Sequence, residues 1–222
     1  MEPAQSPTAP LPRITLFVVG GVLIAASCVL GAWIFIRGDA PFAVDLFWNQ
    51  LLALWISPFM LGFSQVMNFL GGGVVGALII PLGGAIALIF VKRPWSAAYF
   101  LTAEAVSAGG VQILKHLFGR ARPEDIIVIS DFGSYPSGHT ANATTIAVAA
   151  FLLFPRLWVM IVGIAWVLLM ALSRTYLHAH WLTDTLGGML IGAGTALVVG
   201  GFFATVIVRE RSDAVAATPS LG

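Results

Sequence analysis

Charge is what this sequence has least of. Only 9% of its 222 residues are Asp, Glu, Lys or Arg, against about 25% in an ordinary soluble domain. With 59% apolar residues, a water-soluble fold of this length has no way to hide its hydrocarbon surface, and that class is excluded. Cysteine is nearly absent too. The single Cys28 lies inside an apolar run, which rules out a disulfide framework and a thiolate metal site. A net charge of +1 points to no polyanionic partner such as nucleic acid. There is no glycine-rich nucleotide loop, no heptad pattern and no internal repeat, and the last weakens a transporter built from duplicated halves.

What is present is a series of apolar runs, several near the roughly 20 residues that cross a bilayer. They predict an all-α integral membrane protein, a bundle of six transmembrane helices at about 14–36, 71–91, 96–117, 137–154, 157–177 and 181–207. The first run is too long for a cleaved signal peptide and reads as a retained span. Residues 1–13 and 209–222 are small and polar and are expected to be a disordered lead and a disordered cytoplasmic tail around one six-span domain, 14–208. Between the first two spans, residues 42–70 are apolar but broken by Asp45, Asn49, Gln50, Ser57-Pro58, Gln65 and Asn68. Interfacial helices fit that pattern better than a seventh span.

With six spans, Arg13, Lys92, Arg93, Arg156, Arg209 and Arg211 share one side, which the positive-inside rule makes cytoplasmic. Both termini are then cytoplasmic. The opposite side carries Arg37, Lys115, Arg120, Arg122 and Arg174, most of them in clusters whose composition suggests chemistry. Lys115, Arg122 and Arg174 lack enough neighbouring acids to pair them all. Unpaired cations beside hydrocarbon are costly, so an anion is their natural partner; any one alone reads better as an arginine or lysine snorkelling to water. Pro136-Ser137-Gly138-His139 reads as a helix start, whose free N–H groups and dipole favour an anion. Gly138 leaves room for a phosphate, and His139 can hold a proton beside a leaving group.

His180 and Asp184 stand i and i+4, on one face if the helix already runs there, about 6 Å apart along its axis. A carboxylate so placed can take the N–H of one imidazole nitrogen and leave the other free to attack. His178 has Leu182 at i+4 and so no acid partner; it reads as a neighbour of the site. Glu104 is the acid inside an apolar span. It lies eleven residues before Lys115, on the same face but about 16 Å away, and suits a lipid headgroup, cavity water or a neighbouring helix equally.

The three clusters, Lys115-x6-Arg122-Pro123, Pro136-Ser137-Gly138-His139 and Ser173-Arg174-x5-His180-x3-Asp184, resemble the tripartite signature of the type 2 phosphatidic acid phosphatase family, or lipid phosphate phosphatases. That family shares its phosphate site with vanadium haloperoxidases and bacterial acid phosphatases. The resemblance implies His180 as nucleophile, Asp184 as its orienting carboxylate, and His139 as acid and then base. Lys115, Arg122, Ser137, the Gly138 N–H and Arg174 would hold the phosphoryl oxygens. No metal and no cofactor is implied. Many relatives have Gly at the 178 position and Pro-Ser before the Asp, so His178-Ala179-His180-Trp181-Leu182-Thr183-Asp184 departs there without touching the motif.

The expected activity is hydrolysis of a membrane-lipid phosphate or diphosphate through a phosphohistidine, at the outer face of a cell membrane. Undecaprenyl or polyprenyl diphosphate is favoured over phosphatidylglycerophosphate and phosphatidic acid. A non-enzymatic anion or lipid transporter is the competing class: it accounts for the cations but leaves His139, His180 and Asp184 idle.

Overall fold

The computed structural model describes residues 12–216, and within them every regular element is helical. In order they are α1 (Arg13–Ile36), α2 (Ala43–Ala53), α3 (Pro58–Gly71), α4 (Ile80–Phe90), α5 (Pro94–Phe118), α6 (Gly138–Leu153), α7 (Leu157–Tyr176) and α8 (Leu182–Ala216), with a π-helical turn at Val75–Ile79 leading into α4. That turn has a local cause. Pro81 has no N–H to give Ala77, and the helix widens so that Ile80 N–H bonds to Val75 O instead.

α8 is the spine, in contact with α1, α5, α6 and α7. Where α1 meets α8, Gly20 and Gly194 face each other, and a Cβ on either would lie 2.8 Å from the other's carbonyl oxygen. Such close backbone contact is how helices associate where both alternatives, lipid and protein, are apolar. The outside is apolar as well: Val22, Val29 and Ile36 of α1 and Leu157, Ile161 and Leu168 of α7 are exposed. Four helices (α1, α5, α7 and α8) are long and apolar enough to cross a membrane, and the α3–α4 pair, bent by 47°, passes the same test together. The protein is therefore a multi-pass, all-helical membrane protein with four such spans, or five with the bent pair. α6, at 16 residues, falls short of that length, so six long spans are not what the structure shows.

The two ends of the bundle differ in chemistry. At one end Glu210 accepts from the Trp95 and Ser96 N–H groups at 2.7 and 3.1 Å, while Arg93 and Arg211 donate to Leu153 O at the end of α6. Glu210 and Arg211 lie beyond residue 208, where a disordered tail was expected to begin; α8 instead continues to Ala216, held on by these two residues. The disordered lead falls almost wholly on residues 1–11, which with 217–222 lie outside the described part. At the other end, α2 and α3 fill the stretch between α1 and α4. Both ends of α3 are fastened to the last turn of α7, Ser57 N–H to Tyr176 Oη at 2.8 Å and Asn68 Oδ1 to Arg174 Nη1.

Candidate active site

Each of the three sequence clusters is delivered by a helix end. α5 stops at Gly119, whose left-handed φ of 58° suits glycine and whose N–H closes on Lys115 O at 2.9 Å. The chain then reverses, so Arg120 points into the protein and Arg122 into a cavity. Ser137 caps α6, its hydroxyl accepting from the Thr140 N–H and hydroxyl, and leaves the Gly138 and His139 amides at the open first turn. α7 ends at Tyr176 and α8 begins at Leu182. His178, at φ 51°, turns the chain between them.

One cavity of about 720 Å³ is lined by Lys115, Arg122, Gly138, His139, Arg174 and His180. Ser137 does not line it; the residue is fully buried, with its hydroxyl spent on the cap. Lys115 Nζ donates to Asp131 Oδ1 at 3.0 Å and Gly133 O at 2.9 Å. Arg122 Nη2 reaches the same Asp131 Oδ1 at 2.8 Å, and its Nη1 donates to Ala179 O at 2.5 Å. Asp131 is thus the acid that joins two of the three cations. Burial acts to raise its pKa, but Lys115 and Arg122 beside it hold it below the usual carboxylate range.

The two histidines are fixed in definite tautomers by partners that leave no choice. His180 Nδ1 lies 2.8 Å from Ser134 O, and a carbonyl can only accept, so Nδ1 carries the proton. Nε2 is then unprotonated, and its lone pair accepts from Arg122 Nη1 at 3.3 Å. Burial first, and then Arg122, Arg174 and Lys115, hold the His180 pKa well below the ordinary imidazole range, so this nitrogen stays unprotonated. His139 Nε2 lies 3.1 Å from Asn68 O and by the same logic carries a proton, leaving Nδ1 to exchange one. The Asn68 side chain meanwhile accepts from Arg174. So close is α3 here that a Cβ on Gly72 would sit 2.2 Å from His139 Nε2.

Asp184 does not meet His180 as the spacing suggests. Its Oδ2 is 3.7 Å from Nδ1, too far for a hydrogen bond, because His180 precedes α8 and the i, i+4 geometry of a helix does not apply. The link is indirect. Asp184 Oδ2 accepts from the Ser134 hydroxyl and from Trp181 N–H at 2.8 Å, and the Ser134 carbonyl orients His180. Asp184 Oδ1 takes Arg120 Nη1 at 2.5 Å, and Arg120 Nη2 reaches Asp45 Oδ2 of α2 at 2.8 Å. This triad is completely shielded from solvent, with the Arg120 guanidinium between the Phe42 and Trp181 rings. His178 stands outside the cavity, its Nδ1 bonded to Asp125.

Asp45, Asn68, Arg120, Asp131 and Ser134 all bear on the site, and none is in the three clusters. Three of them had a visible signal: Asp45 and Asn68 interrupt an apolar stretch, and Arg120 sits between two motif cations. Ser134 orients His180 through its backbone carbonyl, which residue type does not reveal, while its hydroxyl meets Asp184.

The PAP2 superfamily model matches residues 96–207, half of the chain. The chain belongs to the PAP2 superfamily. It is 33% identical over 153 residues to decaprenylphosphoryl-5-phosphoribose phosphatase of Mycobacterium tuberculosis, covering 66% of this chain and 82% of that protein. To phosphatidylglycerophosphatase B of Bacillus subtilis it is 28% identical over 158 residues, 67% of this chain and 75% of the relative. The crystal structure of a transmembrane PAP2-type phosphatidylglycerolphosphate phosphatase from Bacillus subtilis shares the fold, with a TM-score of 0.69 at 24% identity, over 87% of this chain and 96% of that one. The chain is accordingly a PAP2 membrane lipid phosphatase by family.

Proposed function

We propose that this PAP2 protein removes a terminal phosphate from a membrane lipid through a phosphohistidine on His180. The observation that carries the reading is the state of His180: Nδ1–H is tied to Ser134 O, and the Nε2 lone pair faces a cavity walled by Lys115, Arg122 and Arg174. In the first step the acid form of the substrate phosphate gives its proton to the bare Nδ1 of His139, Nε2 of His180 attacks phosphorus, and the bond to the lipid oxygen breaks. His139 passes that Nδ1 proton to the departing oxygen while keeping the one on Nε2. In the second, His139 takes a proton from water, the hydroxide attacks the phosphohistidine, and phosphate leaves as Nε2 recovers its electron pair. The three cations and the Gly138 N–H hold charge that builds on the phosphoryl oxygens. Asp184, through Ser134 and by its charge, favours the positively charged ring of the intermediate. Ser137 supports the site by capping α6.

The substrate is a membrane lipid ending in phosphate or diphosphate. Polyprenyl diphosphate is the expectation from the sequence, while the names of the two relatives specify a phosphate on glycerol and on ribose. A transporter needs the cations but not two histidines with fixed tautomers. We place the protein in the cell membrane with six crossings, α6 being a short one: it starts at the site and ends beside Arg93 and Arg211 at the other end of the bundle. α2 and α3 lie at the interface on the site's side, which faces outward, with both termini cytoplasmic.

The test is rapid quench with a labelled lipid phosphate, followed by mapping of acid-labile label. His180→Ala removes turnover and label together. His139→Ala, given a good leaving group, accumulates label on His180, because general acid–base help of roughly 10²–10⁴-fold is lost most in the hydrolytic step. Label on another residue, with His180→Ala still turning over, refutes the mechanism.

A further inference from the structure

The cavity is far larger than a phosphoryl group needs. From Lys115 it continues along one face of α5, past Gln112, Ala108 and Ala105 to Glu104 and Leu101, with Ala77, Leu78 and Pro81 as the facing wall. Eleven residues of helix separate Lys115 from Glu104, about 16 Å. Apart from Glu104 itself, the far part of this cleft is mostly hydrocarbon.

Glu104 is 8% exposed, lines the cleft, and has no hydrogen-bond partner for Oε1. Among the described residues no ion pair reaches it either; the cavity cations Lys115 and Arg122 are paired with Asp131 instead. A carboxyl left unpartnered inside a spanning helix is costly. The mechanism above makes no use of it. Its position, in the same cleft as the phosphoryl site and on the same helix face, gives it one evident partner: whatever the rest of the substrate brings to that depth.

We infer that Glu104 is a specificity-determining residue that accepts a hydrogen bond from a hydroxyl or amide N–H of the bound lipid, deep in the cleft and about 16 Å along α5 from Lys115. The inference rests on the lipid-phosphatase reading and narrows it. A lipid whose chain is pure hydrocarbon over that distance, such as a polyprenyl diphosphate, leaves the carboxyl stranded when it fills the cleft. A lipid carrying a donor there satisfies it. In either protonation state a carboxyl retains an acceptor oxygen, so the requirement on the ligand is the same.

The test uses a ruler of substrates. Hexadecyl phosphates bearing one hydroxyl, stepped along the chain, are compared with unsubstituted hexadecyl phosphate on the purified full-length protein. An extended chain advances roughly 1.3 Å per bond at ordinary bond lengths, so the hydroxyl reaches Glu104 when it is about a dozen bonds from phosphorus. There, and not nearer the phosphate or at the chain end, KM falls roughly 3- to 10-fold, the range of one net hydrogen bond, with kcat unchanged. A second series with an amide N–H at the same places separates the two donor sources. Glu104→Leu loses the positional preference but hydrolyses the unsubstituted phosphate as well as the parent or better. Glu104→Gln keeps most of the preference, since its amide oxygen still accepts, and serves as the check on folding. A parent protein indifferent to hydroxyl position, or a preference that survives Glu104→Leu, overturns the inference while leaving the phosphatase intact. A protein that hydrolyses none of the alkyl phosphates overturns the functional reading, and the inference falls with it.

Discussion

Arg120 offers the sharpest test of how the nucleophile is held. Its guanidinium bridges Asp184 at 2.5 Å and Asp45 at 2.8 Å, and neither carboxylate has any solvent exposure. Arg120→Met keeps the length and apolar stem of the side chain but strands two buried negative charges. Removing one partner of a buried ion pair costs about 3–5 kcal/mol. Two are lost here, yet both acids keep other donors: Asp45 has Phe42 N–H and both Thr183 groups, and Asp184 has Trp181 N–H and the Ser134 hydroxyl. The expected loss therefore lies near the top of the single-pair range, about 5 kcal/mol, rather than at twice it. At the roughly 2–4 °C per kcal/mol of a domain this size, Tm in detergent falls by about 10–20 °C. Adding Asp45→Asn to Arg120→Met removes one stranded charge and restores part of the loss, although Asp45→Asn alone destabilises. Because Asp184 is then less firmly placed, kcat falls also. An Arg120→Met protein within about 1 kcal/mol of the parent, or a double variant less stable than the single one, refutes the account of a locked triad.

Two further outcomes follow from the geometry. His180 must be neutral to attack, and its pKa is depressed by burial and next by Arg122; Arg122→Gln removes that second cause, so the acid limb of kcat/KM for an aryl phosphate moves to higher pH, and a limb that stays or moves lower contradicts the assignment. Glu124, exposed in the loop after Arg122, reports orientation: Glu124→Cys in a Cys28→Ser background reacts with an impermeant thiol reagent in intact cells, whereas labelling only after permeabilisation places the site on the cytoplasmic side.

The parts of the site legible in the sequence are those where a residue type at a fixed spacing is itself the chemistry. Lys115, Arg122, His139, Arg174 and His180 reach one cavity because three helix ends deliver them there. The supporting parts were hidden for different reasons. Asp45 and Asn68 come from α2 and α3, far away in sequence from the motifs, and their role depends on how those helices dock on α7 and α8. The four-residue spacing of His180 and Asp184 is real, but it does not lie on a helix, and the contact it suggests is replaced by a relay through Ser134. The fold was legible at the level of helix and membrane. The exact number of long spans was not, because α6 is short and α3 with α4 is one bent pair, and hydropathy alone does not measure either.

Arg120 and Arg122 show how little sequence separation decides. Two residues apart, they fall on opposite sides of the chain after the left-handed turn at Gly119. Arg120 is sealed in with two acids that no solvent reaches. Exchanging those partners for a ligand would expose two bare carboxylates to a low-dielectric interior, so Arg120 is fixed by its own cost of release. Arg122 and Lys115 instead share Asp131, whose side chain is 57% exposed. The two cations are buried but Asp131 is not, so a freed Asp131 returns to water rather than being stranded. A phosphate entering between Lys115 and Arg122 meets a carboxylate it can displace cheaply, with bidentate charge-assisted bonds to gain. The same two residue types thus make a permanent clamp on one side of the loop and an exchangeable one on the other, and the difference is set by which acid water can reach.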